Sequence, residues 1–209
     1  MRPNLEENTY AGYRGIIEKR IAPYFRSKKT TLGELKPIHI QEFYTFCQNT
    51  LHVSNNTVIH YHANIHKALK YAVKNDMIPS NPADKVERPK QDKFYGNFYD
   101  RDELNKLFEA VAGTKLELPV LLGAFYGLRR SEIVGLKWSA IDFEQNTITI
   151  SHTVTSCNLD GKCVIVAKDT TKTKSSRRTL PLVPYFHEKL LAVKAQQGRN
   201  QKLCGRSYN

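Results

Sequence analysis

The segment that most limits how this chain can fold is an apolar run, 118–126, that ends abruptly at Gly127. Charged residues follow at once, with Arg129 and, three positions later, Glu132. Apolar residues favour burial, glycine permits backbone conformations that other residues resist, and a spacing of three is about one helical turn. A carboxylate at that spacing can orient a guanidinium through hydrogen bonds. The segment therefore predicts an arginine held at the edge of a hydrophobic core, where it suits a phosphate. The alternative from these residues is a structural ion pair between Arg129 and Glu132.

The first part of the sequence, from about residue 7 to residue 83, has the pattern of a small helical bundle. Its apolar residues recur at helical spacing in three groups, which end near residues 21, 47 and 73. Pro37 fits the first turn of a second helix, and Ser54 fits the N-cap of a third. The pattern predicts three helices that bury their apolar faces against one another.

A polar, proline-containing stretch separates this bundle from a second pattern. Residues 89–99 are the predicted linker, and Asp100 restarts a helical pattern as an N-cap. Strand-forming residues then replace the helical spacing in four stretches, at 141–150, 151–155, 162–168 and 178–183. A last helical stretch begins at Pro184. The predicted fold class is therefore mainly α with a small antiparallel β-sheet, with one domain at 1–88 and another at 100–209.

The chain carries a large excess of positive charge. Lys and Arg number 32 against 20 Asp and Glu, which gives a net charge of +12 and a pI near 9.5. This balance favours a polyanionic partner, most simply nucleic acid, although a basic surface without a dedicated partner has the same composition. Lys67, Lys70 and Lys74 share one face of the third predicted helix. They are predicted either to contact DNA phosphates or to form an ordinary solvated face.

Several other classes of protein are disfavoured by the sequence. The cysteines at 47, 157, 163 and 204 form no C-x-x-C pair and have no histidines at zinc-ligand spacing, so we expect reduced thiols and no metal site. No apolar run is long enough to cross a bilayer, and the first residues contain no secretory signal core. The sequence therefore predicts a cytoplasmic protein with no membrane partner.

A second basic segment runs from Asp169 to Leu182, between two predicted strands. Its cations are Lys172, Lys174, Arg177 and Arg178. One interpretation is a solvated turn that binds backbone phosphates without taking part in chemistry, and another is a turn that reaches a reacting phosphate. Both interpretations make Arg177 and Arg178 phosphate contacts. Arg130 follows Arg129 but belongs to another face, so it is predicted to be a phosphate contact or a surface charge.

The G-L-R-x-x-E segment at 127–132, the L-K-W-x-x-I-D segment at 136–142 and the T-K-T turn at 171–173 together resemble the tyrosine recombinases, the integrases of phages and integrative elements. The resemblance implies a helical core-binding (SAM-like) domain followed by an α+β catalytic domain. It also implies that Arg129 binds the reacting phosphate, that Glu132 supports it, and that Lys172 is the general acid for the leaving 5′ oxygen, with Lys174 as the alternative. Double-stranded DNA is the implied partner, and no metal or other cofactor is implied, because the family works through a phosphotyrosine bond.

Parts of the family pattern find no match in this sequence. His187 lacks the arginine of the family's H-x-x-R box, and Tyr208 has no such box ahead of it. The catalytic domain is therefore expected to be partial and the chain not to cleave DNA by itself, which makes its predicted function that of a DNA-binding fragment of a site-specific recombinase. Three alternatives stay open: a non-catalytic DNA-binding module that occupies sites or pairs with intact integrase, a truncated reading frame without a role, and complementation in trans by other integrase protomers.

Overall fold

A computed structural model describes residues 5–169 and 177–205 of the chain. Contacts between Cα atoms divide the chain into two compact units, Met1–Asn97 and Phe98–Asn209. Each unit has its own hydrophobic core. The two are described separately below.

The first unit is built from helices. Its α-helices are α1 (Glu7–Ile16), α2 (Ala22–Ser27), α3 (Pro37–Asn49) and α4 (Asn55–Lys74). A π-helical turn, Ile17–Ile21, joins α1 to α2, and a 3-10 turn, Pro82–Lys85, follows α4. Pro37 opens α3 as predicted, and the Ser54 hydroxyl accepts a hydrogen bond from the Thr57 amide at 3.3 Å at the start of α4. The π-helical turn was not foreseen, because its residues read as ordinary helix formers.

The core of the first unit lies between α3 and α4. Phe43 of α3 packs against Tyr24 and Phe25 of α2, with ring centroids 5.0 and 5.5 Å away. The buried apolar side chains of α3 and α4 recur at helical spacing, at Ile40, Phe43, Tyr44, Cys47, Val58, Tyr61, Ile65, Leu69 and Ala72. The predicted helical bundle is confirmed.

One polar pair is buried in this core. The Tyr44 hydroxyl lies 2.7 Å from Nδ1 of His62, and both side chains are buried. Burial lowers the pKa of His62, and the positive charge of Arg88 acts in the same direction. Burial also raises the pKa of the Tyr44 hydroxyl. Both groups are therefore held in their neutral forms near neutral pH.

Residues 87–100, which include the whole of the predicted linker, form no helix or strand. Asp92 nevertheless fixes part of this stretch to the start of α4. Its carboxylate accepts hydrogen bonds from the Asn55 backbone amide at 3.1 Å and from Asn55 Nδ2 at 2.9 Å. Its backbone N–H and C=O both bond to the Asn56 side chain, at 3.2 Å each. A carboxylate at a helix N-terminus is favourable because the first amides of a helix have no partner within the helix.

The second unit combines helices and strands. Its helices are α5 (Arg101–Val111), α6 (Glu117–Tyr126), α7 (Arg130–Val134) and α8 (Pro184–Cys204), with a 3-10 turn at Trp138–Ala140. Asp100 caps α5 in a reciprocal pair with Glu103: the Glu103 amide donates to Asp100 at 2.8 Å, and the Asp100 amide donates to Glu103 at 2.9 Å. This confirms the predicted start of α5.

The strands are β1 (Ile141–Asp142), β2 (Thr147–Ile150), β3 (Thr153–Leu159), β4 (Lys162–Lys168) and β5 (Arg178–Pro181). They form two antiparallel sheets rather than the single sheet that was predicted, one in the order β1-β2-β5 and the other a β3-β4 hairpin. The hairpin lies in sequence between β2 and β5, which pair with each other directly. The predicted class, mainly α with small antiparallel sheet structure, is confirmed.

The core of the second unit brings α6, the three-stranded sheet and α8 together. The buried residues are Leu121, Leu122, Leu128, Ile141, Ile148, Ile150, Leu182, Phe186 and Leu190. The β3-β4 hairpin packs near α7 at Gly135, where an added Cβ would lie 2.9 Å from backbone atoms of Ser131, Thr153 and Val154. Only glycine allows this approach. No helix of the described residues is long and apolar enough to cross a membrane.

Candidate functional site

The site begins where α6 ends. Gly127 adopts the left-handed conformation, with φ 61° and ψ 30°, and its amide donates to the Gly123 carbonyl at 3.1 Å. This conformation closes α6 and turns the chain, a task that favours glycine. Leu128 is then buried in the core, and Arg129 stands at the N-cap of α7. The predicted place of Arg129 at the edge of the core follows from these local features.

Glu132 lies in α7, three residues after Arg129, and its carboxylate is buried in the second unit. Its side chain is 1% exposed. Four hydrogen bonds reach its two carboxylate oxygens. From Arg129 come the backbone amide to Oε2 at 2.9 Å and Nη1 to Oε1 at 3.2 Å. From Arg178 come Nη1 to Oε1 at 3.1 Å and Nη2 to Oε2 at 2.9 Å. The carboxylate is thus bound on both oxygens by two arginines.

The charges of this cluster are settled by these contacts. The hydrogen bonds from Arg178 lower the pKa of Glu132 more than its burial raises it, and the Arg129 backbone amide lowers it further. The same bonds raise the pKa of Arg178. One carboxylate therefore faces two guanidinium groups, which leaves an excess of one positive charge at the cluster.

The two arginines differ in their access to solvent. The Arg129 side chain is 70% exposed, and the Arg178 side chain is 30% exposed. Arg129 uses Nη1 for Glu132, so the outer edge of its guanidinium faces water. An anion arriving from solvent would therefore meet Arg129 first, in an orientation that Glu132 helps to set.

A second group of charged side chains lies directly after the end of β4, around Asp169. Asp169 Oδ1 accepts a hydrogen bond from Lys137 Nζ at 2.9 Å and lies 2.7 Å from Nδ1 of His152. The bond from Lys137, followed by that from His152, lowers the pKa of Asp169. In the sequence, Asp169 lies three positions before Lys172. Lys172 and Lys174, the two predicted candidates for the general acid, lie outside the described residues.

The other predicted contacts occupy several surfaces. Arg130 at the start of α7 and Arg177 before β5 are exposed. In the first unit, Lys67, Lys70 and Lys74 are exposed along one face of α4, and Lys67 Nζ lies 5.2 Å from the Tyr13 ring centroid. Within residues 5–169 and 177–205, no three His, Cys, Asp or Glu side chains are arranged to hold a metal ion.

The contact between Arg178 and Glu132 was missed at the sequence level, where Arg178 was grouped with Arg177 as a phosphate contact. A usable signal was present in β5. Leu180 and Leu182 alternate with the exposed Thr179 and Pro181 and belong to the core. Because side chains alternate between the faces of a strand, Arg178 shares the inward face with these leucines. Its partner could not be read from the sequence, because Glu132 lies 46 positions away.

Several known proteins have sequences similar to this chain. The family model described as phage integrase, N-terminal SAM-like domain, matches residues 1–48. The tyrosine recombinase XerC of Pediococcus pentosaceus is 38% identical over 87 residues, which cover 39% of this chain and 29% of that protein. The ICEBs1 integrase of Bacillus subtilis is 28% identical over 181 residues, 84% of this chain and 46% of that protein. These matches support a tyrosine recombinase family for the chain.

The fold of this chain is shared with the integrase of transposon Tn1549, solved in complex with a circular intermediate DNA. The TM-score is 0.73 at 21% identity, over 93% of this chain and 61% of that one. The chain spans less than half the length of the XerC recombinase and of the ICEBs1 integrase.

Proposed function

We propose that this chain is the DNA-binding part of a site-specific tyrosine recombinase, the integrase of a mobile element, and that Arg129 contacts the phosphate at which strands are exchanged. The observation that carries the proposal is the exposed guanidinium of Arg129 above the buried carboxylate of Glu132. An exposed guanidinium whose orientation is set by a buried carboxylate is suited to bind two oxygens of one phosphate. The net charge of +12 supports a polyanionic partner, and a cytoplasmic location would give access to DNA.

The chemistry expected at this phosphate follows from the family. As a non-bridging oxygen pair gains charge during displacement, an arginine already in place stabilises that charge without having to reorient. Lys172, or Lys174 in its stead, would protonate the leaving 5′ oxygen. Asp169, which precedes these lysines in the sequence, contacts Lys137 and His152.

The first unit is proposed to bind the DNA backbone through α4. Lys67, Lys70 and Lys74 are spaced so that their exposed side chains follow one line along the helix. Two relatives give the proposal its biological setting, since one is the integrase of ICEBs1 and the other an integrase solved with transposon DNA. Pairing with further integrase protomers on the same DNA is part of the proposal.

Salt dependence of DNA binding tests the proposal. Affinity for a duplex of about 30 base pairs is measured across a salt series, and the slope of log K against log salt reports how many phosphates are contacted, at about 0.9 per contact. We expect the slope to fall by about 1 for Arg129→Ala and by about 3 when Lys67, Lys70 and Lys74 are all replaced by alanine. Lys115→Ala removes an exposed charge outside both proposed contacts, and we expect it to leave the slope unchanged.

The outcomes separate the proposal from its alternatives. A wild-type chain that is folded but does not bind the duplex at low salt contradicts DNA binding altogether. Binding that depends on the α4 lysines but not on Arg129 favours a non-catalytic module, since such a module needs the basic surface and not the phosphate clamp.

A further inference from the structure

We infer that Arg178 is a positioning residue, which acts on the DNA phosphate through Glu132 and Arg129 and not by contacting the phosphate itself. The inference deepens the proposed function and rests on it for its DNA-binding readout. It changes the role of Arg178 from one of several basic residues near the turn to the support of the phosphate-binding arginine.

The geometry between Arg178 and Glu132 is that of a two-pronged clamp. Two nitrogens of one guanidinium bond to two oxygens of one carboxylate, at 3.1 and 2.9 Å. Parallel bonds of this kind fix both the position and the plane of the carboxylate. Once that plane is fixed, Oε2 meets the Arg129 amide and Oε1 meets Arg129 Nη1. The orientation of Arg129 is therefore transmitted from Arg178 through a single carboxylate.

Glu132 cannot depend on Arg129 alone for its charge. The Arg129 side chain is mostly in water, and its side-chain bond to Glu132 is, at 3.2 Å, the longest of the four. A carboxylate that is 1% exposed needs compensation from a group that is itself held in place. Arg178 is such a group, because it sits in β5 opposite Ile150 of β2, on the strand face shared with the core leucines.

This arrangement also connects β5 to α7. Arg178 is the first residue of β5 and lies six positions after Lys172 in the sequence. β5 is thereby bound to Glu132 of α7, the helix whose N-cap is Arg129. Strand position and arginine orientation are expected to be coupled through Glu132.

A double-mutant cycle in DNA affinity tests the inference. We expect Arg129→Ala to weaken binding roughly tenfold and Arg178→Ala to weaken it by a similar factor, with the double variant no weaker than Arg129→Ala within about twofold. The salt slope should fall by about 1 in all three. Arg177→Ala is the matched comparison. If Arg177 contacts phosphate independently, its fold-loss of affinity should multiply with that of Arg129→Ala in the double variant, and the salt slope should fall by about 1 more. If the losses from Arg178→Ala and Arg129→Ala multiply in the same way, Arg178 contacts phosphate directly and the inference is wrong.

Arg178→Lys keeps the charge but loses the two-pronged geometry. We expect it to weaken binding several-fold, whereas a residue that supplied only charge to a phosphate would tolerate the change. This variant also covers the case in which Arg178→Ala does not fold, which circular dichroism would reveal. Wild-type affinity in Arg178→Lys would overturn the inference.

A measurement without DNA separates failure of the inference from failure of the proposed function. The side-chain carboxyl carbon of Glu132 is followed by NMR during a pH titration of wild type and Arg178→Lys. Because the bonds from Arg178 are the main cause of the lowered pKa of Glu132, we expect its titration to move to higher pH in the variant. An unchanged titration and an unchanged Arg129 guanidinium signal would contradict the positioning role, whether or not the chain binds DNA.

Discussion

Replacing Glu132 with glutamine should destabilise the second unit, although the two side chains have almost the same size and shape. The carboxylate accepts four hydrogen bonds, two from Arg129 and two from Arg178. A glutamine side chain has only one acceptor oxygen. Its NH2 group would stand in place of the second carboxylate oxygen, where it cannot accept the hydrogen bonds that the arginines donate. At least two of the four bonds are therefore lost in the variant.

The size of the effect depends on which bonds are lost. If the amide oxygen takes the place of Oε2, the bonds from the Arg129 backbone and from Arg178 Nη2 survive. The bond from Arg129 Nη1 contributes little, because that side chain is 70% exposed and screened by water. The remaining loss is the bond from Arg178 Nη1, and a hydrogen bond to a charged group contributes about 1.5–3 kcal/mol. We expect a loss of about 2 kcal/mol, roughly a 30-fold change in the unfolding equilibrium.

Urea unfolding followed by tryptophan fluorescence measures this loss in the correct unit. Trp138 is the one tryptophan of the chain and lies in the second unit, where its indole N–H donates to Gln197 at 2.8 Å. Glu188→Gln makes the same chemical change at an exposed position of α8 and should leave the urea midpoint unchanged. A Glu132→Gln variant as stable as wild type would refute the reasoning, since it would mean that burying the charge costs as much as its bonds return.

The same variant should change the response to acid. The pKa of Glu132 is lowered on folding from an ordinary value of 4.5. The stability that it contributes is therefore complete above about pH 4.5 and is lost as the pH falls through its lowered pKa. Glu132→Gln should show a shallower loss of stability in this range than wild type, measured by the same urea titrations.

Two further changes test the packing and the buried histidine. Gly135→Ala should destabilise the second unit by about 1–3 kcal/mol, because the added Cβ would lie 2.9 Å from backbone atoms. Gly198→Ala in α8 should stabilise the unit by about 0.5–1 kcal/mol, because the added Cβ would have no atom within 4 Å and alanine favours helix. Thermal unfolding measures both changes. His62 has a lowered pKa in the folded chain, so the first unit should lose stability as the pH falls below about 6.5, where the unfolded chain takes up the proton more readily. Hydrogen exchange of the α4 amides should show this loss in wild type and in the exposed control His60→Gln, but not in His62→Gln.

Local features of the sequence determined much of the secondary structure and one part of the site. Pro37, Ser54 and Asp100 start helices for local reasons. The proline ring fits the first turn, and the other two side chains accept hydrogen bonds from backbone amides within that turn. Gly127 ends α6 because the left-handed conformation suits glycine. Glu132 reaches Arg129 because residues three apart lie on one side of a helix. Each depends on neighbours within a few positions, so each could be predicted.

Tertiary structure decided the rest of the site. Whether β5 would pair with β2 or with the hairpin could not be read from strand propensity, because all of these segments contain strand-forming residues. That pairing places Arg178 opposite Ile150 and brings its guanidinium to a carboxylate 46 residues earlier in the chain. Contacts at such separations are selected by the packing of the whole core and not by local preference. The sequence by itself therefore determined an arginine with a nearby acid, and the fold decided which second arginine holds that acid in place.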